Sequence, residues 1–257
     1  MINKEIGIGI LDIYSDEDLQ NCLASIPDDL KNNVVVVCNK KTSKNCDRHY
    51  SNDVSFATLR NYVLTQLRIK GFKYYFILNS NVKIINSKIF EKTIDVANTF
   101  GTWFITGSGD NNVVLEDDTN NLILNISPTL NTNFIFLYSG IIKNFGFFDE
   151  RFFDTKDFDV LDYIVKMRNK KVYPPNHYNP TIEKDDIEES ISPIEKINFK
   201  DIKDIGKDKM TRSMELTFAY FYHEHKYIPY QNDPVGVTQD ELLKCMENLQ
   251  KSYANNK

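Results

Sequence analysis

The chain has 257 residues, of which 41% are hydrophobic and 12% aromatic, and a formal net charge of -5 at pH 7. This length and composition suit one large or two small folded domains and exclude wholesale disorder. Because the sequence has no basic stripe, we expect no nucleic-acid partner. Because it has no long apolar run near the start, we expect no membrane span. We therefore expect a cytoplasmic location, in the host cytoplasm if the protein is viral.

Strand and helix patterns alternate through the first 80 residues. An isoleucine-rich run predicts a strand, and apolar residues at helical spacing predict a helix with Ser15 as its N-cap. A β-branched run then predicts a strand covered on both faces. A polar loop, a second helix and a third buried strand follow. The strands are expected at 6–14, 33–39 and 73–78. This alternation predicts an α/β fold with a mostly parallel central sheet flanked by helices.

Polar residues occur at or just beyond the end of each of these strands, within 12–15, 38–41 and 79–81. Ligands of such sheets bind beyond the carboxyl ends of the strands, so these segments are expected along one ligand-binding edge. Asn79 and Asn81 are predicted to project to the same side of a strand. They either form a polar turn or face a nucleotide diphosphate. Because an amide is a weaker ligand than a carboxylate for Mg²⁺ or Mn²⁺, we expect no tight metal site on these two alone.

The alternation weakens beyond residue 85. The patterns predict a helix, a strand, a β-hairpin, a further strand and a helix that follows an acidic, aromatic loop. A charged stretch from about 181 to 210 is expected to be a solvated excursion or a mobile loop. We therefore divide the chain into a domain at 1–180 and a region at 181–257, in which the excursion and a C-terminal helical extension pack on the same domain.

The four cysteines form no CxxC pair and are too sparse for a disulfide framework. We expect reduced thiols, with Cys22 and Cys38 in the core.

The acidic, aromatic loop gathers five carboxylates between 149 and 159, interleaved with phenylalanines: Asp149, Glu150, Asp154, Asp157 and Asp159. Such acids can begin and cap a helix. Carboxylates packed among aromatic rings beside a pocket can also acquire the raised pKa of a general base. Both interpretations stay open at this point.

Three further residues are candidates for binding. Arg60 lies in the second predicted helix and is either solvated or orients a ribose, base or phosphate at the edge of the sheet. His223 and His225 flank Glu224, and they share a face only in a strand. Metal ligation by this pair needs a strand or loop, and a surface or core role is the favoured alternative.

In chain order, these segments resemble the inverting glycosyltransferases of the family 2 type, which have the GT-A fold. "FATLRNYVLTQLRIKGFKYYFILNSNV" is similar to the family's "aRNxGlxxAxGdyixfLNpDv". "GFFDERFFDTKDFDVLDYIVKMRNKKVY" is similar to "GxFDExFFxxxEDxDlxxRxxxxGxxv", and "ELTFAYFYHEHKYIP" resembles a stretch of some viral and bacteriophage members. The likeness covers roughly residues 5 to 173.

The resemblance implies a nucleotide-diphosphate sugar as donor, an acceptor hydroxyl and inversion at the anomeric carbon. Asp157 matches the general base. Residues on the acceptor side would be Asp149, Glu150 and Asp159. Donor-binding residues would be Tyr14, Ser15, Asn39, Arg60, Asn79 and Asn81. A Mn²⁺ or Mg²⁺ ion would lie beside the diphosphate, with Asn81 and His223 as the candidate ligands.

Three positions depart from the family, because Asn81, Cys38 and Lys156 stand where it has acids. In one interpretation the enzyme is active with weak or no metal, and Arg or Lys side chains neutralise the leaving diphosphate. In the other, a degenerate domain serves as a binding or structural module. A nucleotidyltransferase is a third alternative, but its usual Gly-rich, basic opening loop is missing. The sequence leaves the sugar, the acceptor and the oligomeric state open.

Overall fold

The computed structural model describes residues 2–39, 46–52, 54–107, 113–117, 122–127, 130–152, 158–170, 179–182, 184–189 and 224. The helices within this part of the chain are α1 (Asp16–Ser25), α2 (Phe56–Ile69), α3 (Ile89–Phe100), α4 (Ser139–Phe145) and α5 (Phe158–Asn169). The strands are β1 (Ile6–Asp12), β2 (Val34–Asn39), β3 (Arg48–Tyr50), β4 (Tyr74–Asn79), β5 (Val82–Ile84), β6 (Phe104–Thr106), β7 (Val113–Asp117), β8 (Leu122–Ser127), β9 (Phe134–Tyr138), β10 (Asn179–Thr181) and β11 (Ile187–Glu189).

A nine-stranded central sheet has the order β3-β2-β1-β4-β9-β6-β10-β8-β7. β1 pairs in parallel with β2 and β4, β2 with β3, and β6 with β10. β9 is antiparallel to β4 and β6, and β8 is antiparallel to β10 and β7. Seven of the nine strands described in this sheet therefore run in one direction, and β8 and β9 run in the other. The predicted mostly parallel α/β sheet and the predicted β7–β8 hairpin are confirmed.

Helices cover both faces of this sheet. Side chains of α1 and α3 form one core cluster with the face of β1 that carries Ile6, Ile8 and Ile10. Side chains of α2 and α5 form a second core cluster with the other face. Gly9 faces α2, and a Cβ there would lie 2.7 Å from the Cβ of Val63. The close approach of α2 to β1 therefore requires glycine.

The chain leaves the central sheet directly after Asn79. Ser80 and Asn81 form a turn, and β5 then pairs with β11 in a separate two-stranded sheet. The prediction that Asn79 and Asn81 project from one strand is therefore wrong. Only Asn79 is held by the pairing of the central sheet, because its strand ends where the turn begins.

The first part of the predicted charged excursion belongs to the fold. β10 spans the predicted boundary at residue 180 and lies between β6 and β8. Ile182, Asp186 and Ile187 are buried. The prediction of a solvated excursion or mobile loop is therefore wrong for these three residues and for Thr181, whereas Asp185 is exposed. Apart from Glu224, residues 190–257 lie outside the described residues, so the C-terminal extension stays a prediction.

No helix among the described residues combines the length and the hydropathy needed to cross a membrane. The cytoplasmic location stays a prediction.

The cysteines differ in part from their prediction. Cys38 and Cys46 form a disulfide with their Cα atoms 6.0 Å apart, so the expectation of reduced thiols is wrong for this pair. The reason is that β3 pairs in parallel with β2 and begins two residues after Cys46, which brings Cys46 alongside β2. Cys22 is free and buried in the core, as expected. Burial, together with the charge of Asp12, raises the pKa of the Cys22 thiol to about 12.

We expect Cys22 to resist alkylation in the folded protein. A thiol whose pKa is about 12 is almost fully protonated at pH 8, whereas the thiolate is the nucleophile. Iodoacetamide should therefore modify Cys22 in urea and leave it unmodified in buffer, as measured by peptide mass mapping. Equal modification rates in the two conditions would contradict the buried position.

Candidate functional site

The carboxyl ends of the central strands align at one edge of the sheet. Asp12 lies beside Cys38, and Leu11 lies beside Asn79. The next strand continues this edge, because the backbone N–H of Asn79 donates to the carbonyl of Asn133 at 2.8 Å. The predicted meeting of the segments after β1, β2 and β4 is thus confirmed for their described residues; 40–41 lie outside them. We call this the carboxyl edge.

Asparagine side chains form a chain of hydrogen bonds along the carboxyl edge. Asn79 Nδ2 donates to Asn133 Oδ1 at 2.7 Å, and the backbone N–H of Asn133 donates to Asn131 Oδ1 at 3.0 Å. Asn79 Oδ1 is buried and has no hydrogen-bond partner. Sequence analysis missed Asn131 and Asn133. The sequence does contain a signal for these two residues: "NTN" at 131–133 directly precedes β9, and "NSN" at 79–81 begins at the last residue of β4. In an antiparallel pair the start of one strand lies beside the end of the other, so the two motifs are neighbours.

We expect an Asn133→Ala variant to lose about 1–3 kcal/mol of unfolding free energy, because the buried amide of Asn79 then lacks its acceptor. Urea unfolding measures this loss. Replacing both Asn79 and Asn133 by leucine should cost less than the sum of the two single replacements. Strictly additive losses would show that the two amides do not act as a pair.

The donor-side candidates after β1 and β2 also lie at this edge. Ser15 is the N-cap of α1, as predicted: its Oγ accepts from the backbone N–H of Asp18 at 3.1 Å, and its own N–H donates to the Asp18 carboxylate at 3.2 Å. Ser15 is exposed, and Tyr14 and Asn39 are half-buried. All three are therefore accessible from solvent. Their roles in donor binding stay predictions.

The centre of the carboxyl edge is covered. Asp12 and Asn79 are 0% exposed, Ser80 is 1% exposed and Asn81 is 6% exposed. A ligand can therefore reach this part of the edge only beside Asn81, or after the residues that cover it move.

Asn79 and Asn81 do not by themselves fit a Mn²⁺ or Mg²⁺ site. No group of three or more His, Cys, Asp or Glu residues that could hold a metal occurs in the part of the chain that the structure describes. Asn79 and Asn81 offer neutral amide oxygens, whereas both ions prefer charged oxygen ligands. His223, the other candidate ligand, lies outside the described residues.

Arg60 and Asp159 form a buried ion pair. Arg60 Nη1 donates to the two carboxylate oxygens of Asp159 at 2.6 and 2.5 Å. The side chains are 0% and 1% exposed, and the guanidinium carbon lies 5.5 Å from the ring centre of Phe56 and 5.9 Å from that of Phe148. The donor-side candidate and the acceptor-side candidate thus contact each other. Their pair ties the first turns of α2 to the start of α5.

A second set of contacts holds the segment before α5 against α2. Asn61 Nδ2 donates to Glu150 Oε1 and to the carbonyl of Phe148, each at 2.9 Å, and Asn61 Oδ1 accepts from the N–H of Phe148 at 2.9 Å. Thr58 Oγ1 donates to Glu150 Oε2 at 3.1 Å. Sequence analysis assigned no role to Asn61. In the structure Asn61 and Thr58 together fix the position of Glu150.

The remaining acidic candidates differ in how far the structure describes them. Asp149 is half-buried and forms an ion pair with Arg151 at 2.7 Å. Asp157, the candidate base, lies outside the described residues. It falls between Phe152 and Phe158, whose side chains are buried and whose ring centres are 6.4 Å apart. The described residues on either side of Asp157, Phe152 and Phe158, are therefore both packed in the protein interior.

No family model and no curated protein matches the chain. Among solved structures, residues 1–349 of TarS from S. aureus align over 97% of this chain and 80% of that chain, with 14% identity and a TM-score of 0.45. Its complex with UDP-GlcNAc aligns over the same shares with 13% identity and a TM-score of 0.43. A197 from STIV aligns over 54% of this chain and 67% of that chain, with 12% identity and a TM-score of 0.33. These likenesses assign neither a family nor a function to this chain.

Proposed function

We propose that the protein is an inverting glycosyltransferase of the GT-A type that transfers a sugar from a nucleotide-diphosphate sugar to an acceptor hydroxyl. The observation that supports this most is the contact between two motif segments that lie far apart in the sequence. Arg60 and Asn61 of the first segment bind Asp159, Phe148 and Glu150 of the second. Both segments are ones on which the family resemblance depends.

In the proposed reaction Asp157 removes the proton from the acceptor hydroxyl. The acceptor oxygen then attacks the anomeric carbon, while the bond from that carbon to the diphosphate oxygen breaks on the opposite side. The nucleoside diphosphate leaves with the electron pair of the broken bond. Positive charge near the diphosphate would stabilise it. Since Asp159 already pairs with Arg60, we assign that charge to a different basic side chain.

The Arg60–Asp159 pair has a positioning role in this mechanism. Asp159 lies two residues beyond Asp157, in the first turn of α5, and its carboxylate is fixed by Arg60. The pair would therefore hold the segment of the candidate base against α2. A general base needs such a fixed position because it must lie within hydrogen-bond distance of the proton that it removes.

We further propose that turnover needs little or no divalent metal, because Asn81 offers an amide where a carboxylate is expected. Nucleotide release by the natural chain should therefore persist in EDTA. An Asn81→Asp variant should gain a Mn²⁺ site, measured by calorimetric titration with Mn²⁺ alone and by Mn²⁺-stimulated release. An Asn81→Ser variant is the matched control without a carboxylate. Complete loss of wild-type release in EDTA would contradict this proposal.

A second candidate function is a degenerate glycosyltransferase domain that binds a nucleotide or serves a structural role. The observation that favours it is the coverage of the carboxyl edge, where Asn79 and Ser80 are almost fully buried. Calorimetry with UDP, GDP and dTDP, with and without Mn²⁺, tests nucleotide binding by either candidate. Binding without consumption of any nucleotide sugar would favour the module over the enzyme. No binding of any nucleotide by the folded chain would count against both.

A further inference from the structure

A groove of about 430 Å³ lies between α1 and the turn that joins β4 to β5. Asp18, Asn21 and Ala24 line it from the helix, and Ser80, Asn81 and Lys83 line it from the turn and β5. Its volume is within the range of about 300–1,000 Å³ that is typical of small-molecule sites.

One of the lining residues, Ser80, carries a buried polar atom that lacks a partner. Ser80 is 1% exposed, and its Oγ has no hydrogen-bond partner. A buried hydroxyl without a partner is unfavourable, and a bound ligand that supplies a hydrogen bond would relieve this cost.

The other lining groups favour a neutral ligand with many hydroxyls. Asn21 and Asn81 carry amides, each of which both donates and accepts hydrogen bonds, as sugar hydroxyls do. Asp18 and Lys83 contribute one negative and one positive charge, so the lining has no net charge to attract a phosphate. Ala24 adds a small apolar surface against which a sugar ring can lie.

The groove and α5, the helix that follows the candidate base in the sequence, lie on opposite faces of the central sheet. α1 packs on one face of the central sheet, whereas α2 and α5 pack on the other. Asp157 directly precedes α5 in the sequence, and Asn81 is the one candidate donor residue that also lines the groove. A molecule held between α1 and β5 therefore lies on the face opposite α5 and shares only Asn81 with the candidate donor residues.

We propose that the groove binds a short neutral saccharide, in addition to the nucleotide sugar and acceptor hydroxyl of the proposed reaction. The proposal goes beyond the transferase function and does not depend on it, since a non-catalytic module would carry the same groove. Its occupant could be a remote part of a saccharide acceptor or a separate saccharide that anchors the protein.

The test is saturation-transfer NMR of the full chain with maltotriose, cellotriose, chitotriose and mannotriose as probes. At least one probe should bind, and an Ala24→Trp variant, which fills the groove, should lose that signal. Asn21→Ala should weaken the same probe about tenfold through loss of its hydrogen bonds. Gln20→Trp is the matched control, because Gln20 is exposed on α1 and does not line the groove. Circular dichroism checks that each variant is folded.

Three outcomes would overturn the proposal. The first is no saturation-transfer signal from any probe, and the second is a signal that survives Ala24→Trp. The third is displacement of the saccharide by UDP, because the groove would then be part of the donor site. The transferase proposal is judged separately. An Asp157→Asn variant should keep saccharide binding whether or not the natural chain transfers a sugar. Saccharide binding by a chain without transfer would count against the transferase proposal alone.

Discussion

Replacing Arg60 by alanine should lower the free energy of unfolding by about 3–5 kcal/mol, because it leaves the Asp159 carboxylate buried without its partner. Both side chains are at most 1% exposed, so water cannot replace the lost hydrogen bonds. Asp159→Ala should cause a similar loss. Urea unfolding of the two single variants and of the double variant measures the coupling, and the double variant should lose much less than the sum of the single losses.

Two control variants distinguish the loss of this buried ion pair from the loss of a charged side chain in general. Lys31→Ala removes an exposed ion pair with Asp28 and should leave the urea midpoint unchanged. Arg60→Met combined with Asp159→Leu replaces both charges by apolar side chains and should recover most of the stability lost in either alanine variant. A small loss in Arg60→Ala, equal to that in Lys31→Ala, would show that the pair does not hold α5 against α2.

Replacing Asp157 by asparagine should reduce kcat by about 10²–10⁴-fold, which is the usual contribution of a general base. The amide cannot take the proton of the acceptor hydroxyl, whereas the contacts that bind the donor are not changed. KM for the nucleotide sugar should therefore stay close to that of the natural chain, as measured by steady-state kinetics. The free energy of unfolding should also change little.

Asp154→Asn is the matched control for this variant. It makes the same chemical change in the same acidic segment, at a position to which no catalytic role is assigned, and should keep most of the activity. Full activity in Asp157→Asn, or an equal loss in both variants, would remove the assignment of Asp157 as base. In the second case the charge of the segment, and not one proton acceptor, would be the important property.

Much of the fold is predictable because long elements carry their own periodicity. The isoleucine alternation of β1, the β-branched run of β2 and the helical spacing in α1 each extend over six or more residues. β3, β5, β10 and β11 have three residues each, too few for a period to be visible. Their positions depend on pairing with distant strands. For this reason the burial of Thr181, Ile182, Asp186 and Ile187 was not predictable from the charged composition of this stretch.

The residues of the candidate site were easier to predict from the sequence than the contacts between them. Arg60 and Asp159 are both conspicuous in the sequence, but nothing local indicates that residues 99 positions apart form one ion pair. Asn133 was missed because an asparagine before a strand is typical of a turn. Its role arises only from the antiparallel pairing of β9 with β4. Likewise, Cys38 reaches Cys46 only because β3 returns beside β2.

The most direct test of the proposed function is nucleotide release by the purified full chain with a panel of UDP-, GDP- and dTDP-sugars, measured with and without Mn²⁺. The glycosyltransferase account predicts release from at least one donor, persistence of that release in EDTA and its loss in Asp157→Asn. No release from any donor by a correctly folded chain would contradict it.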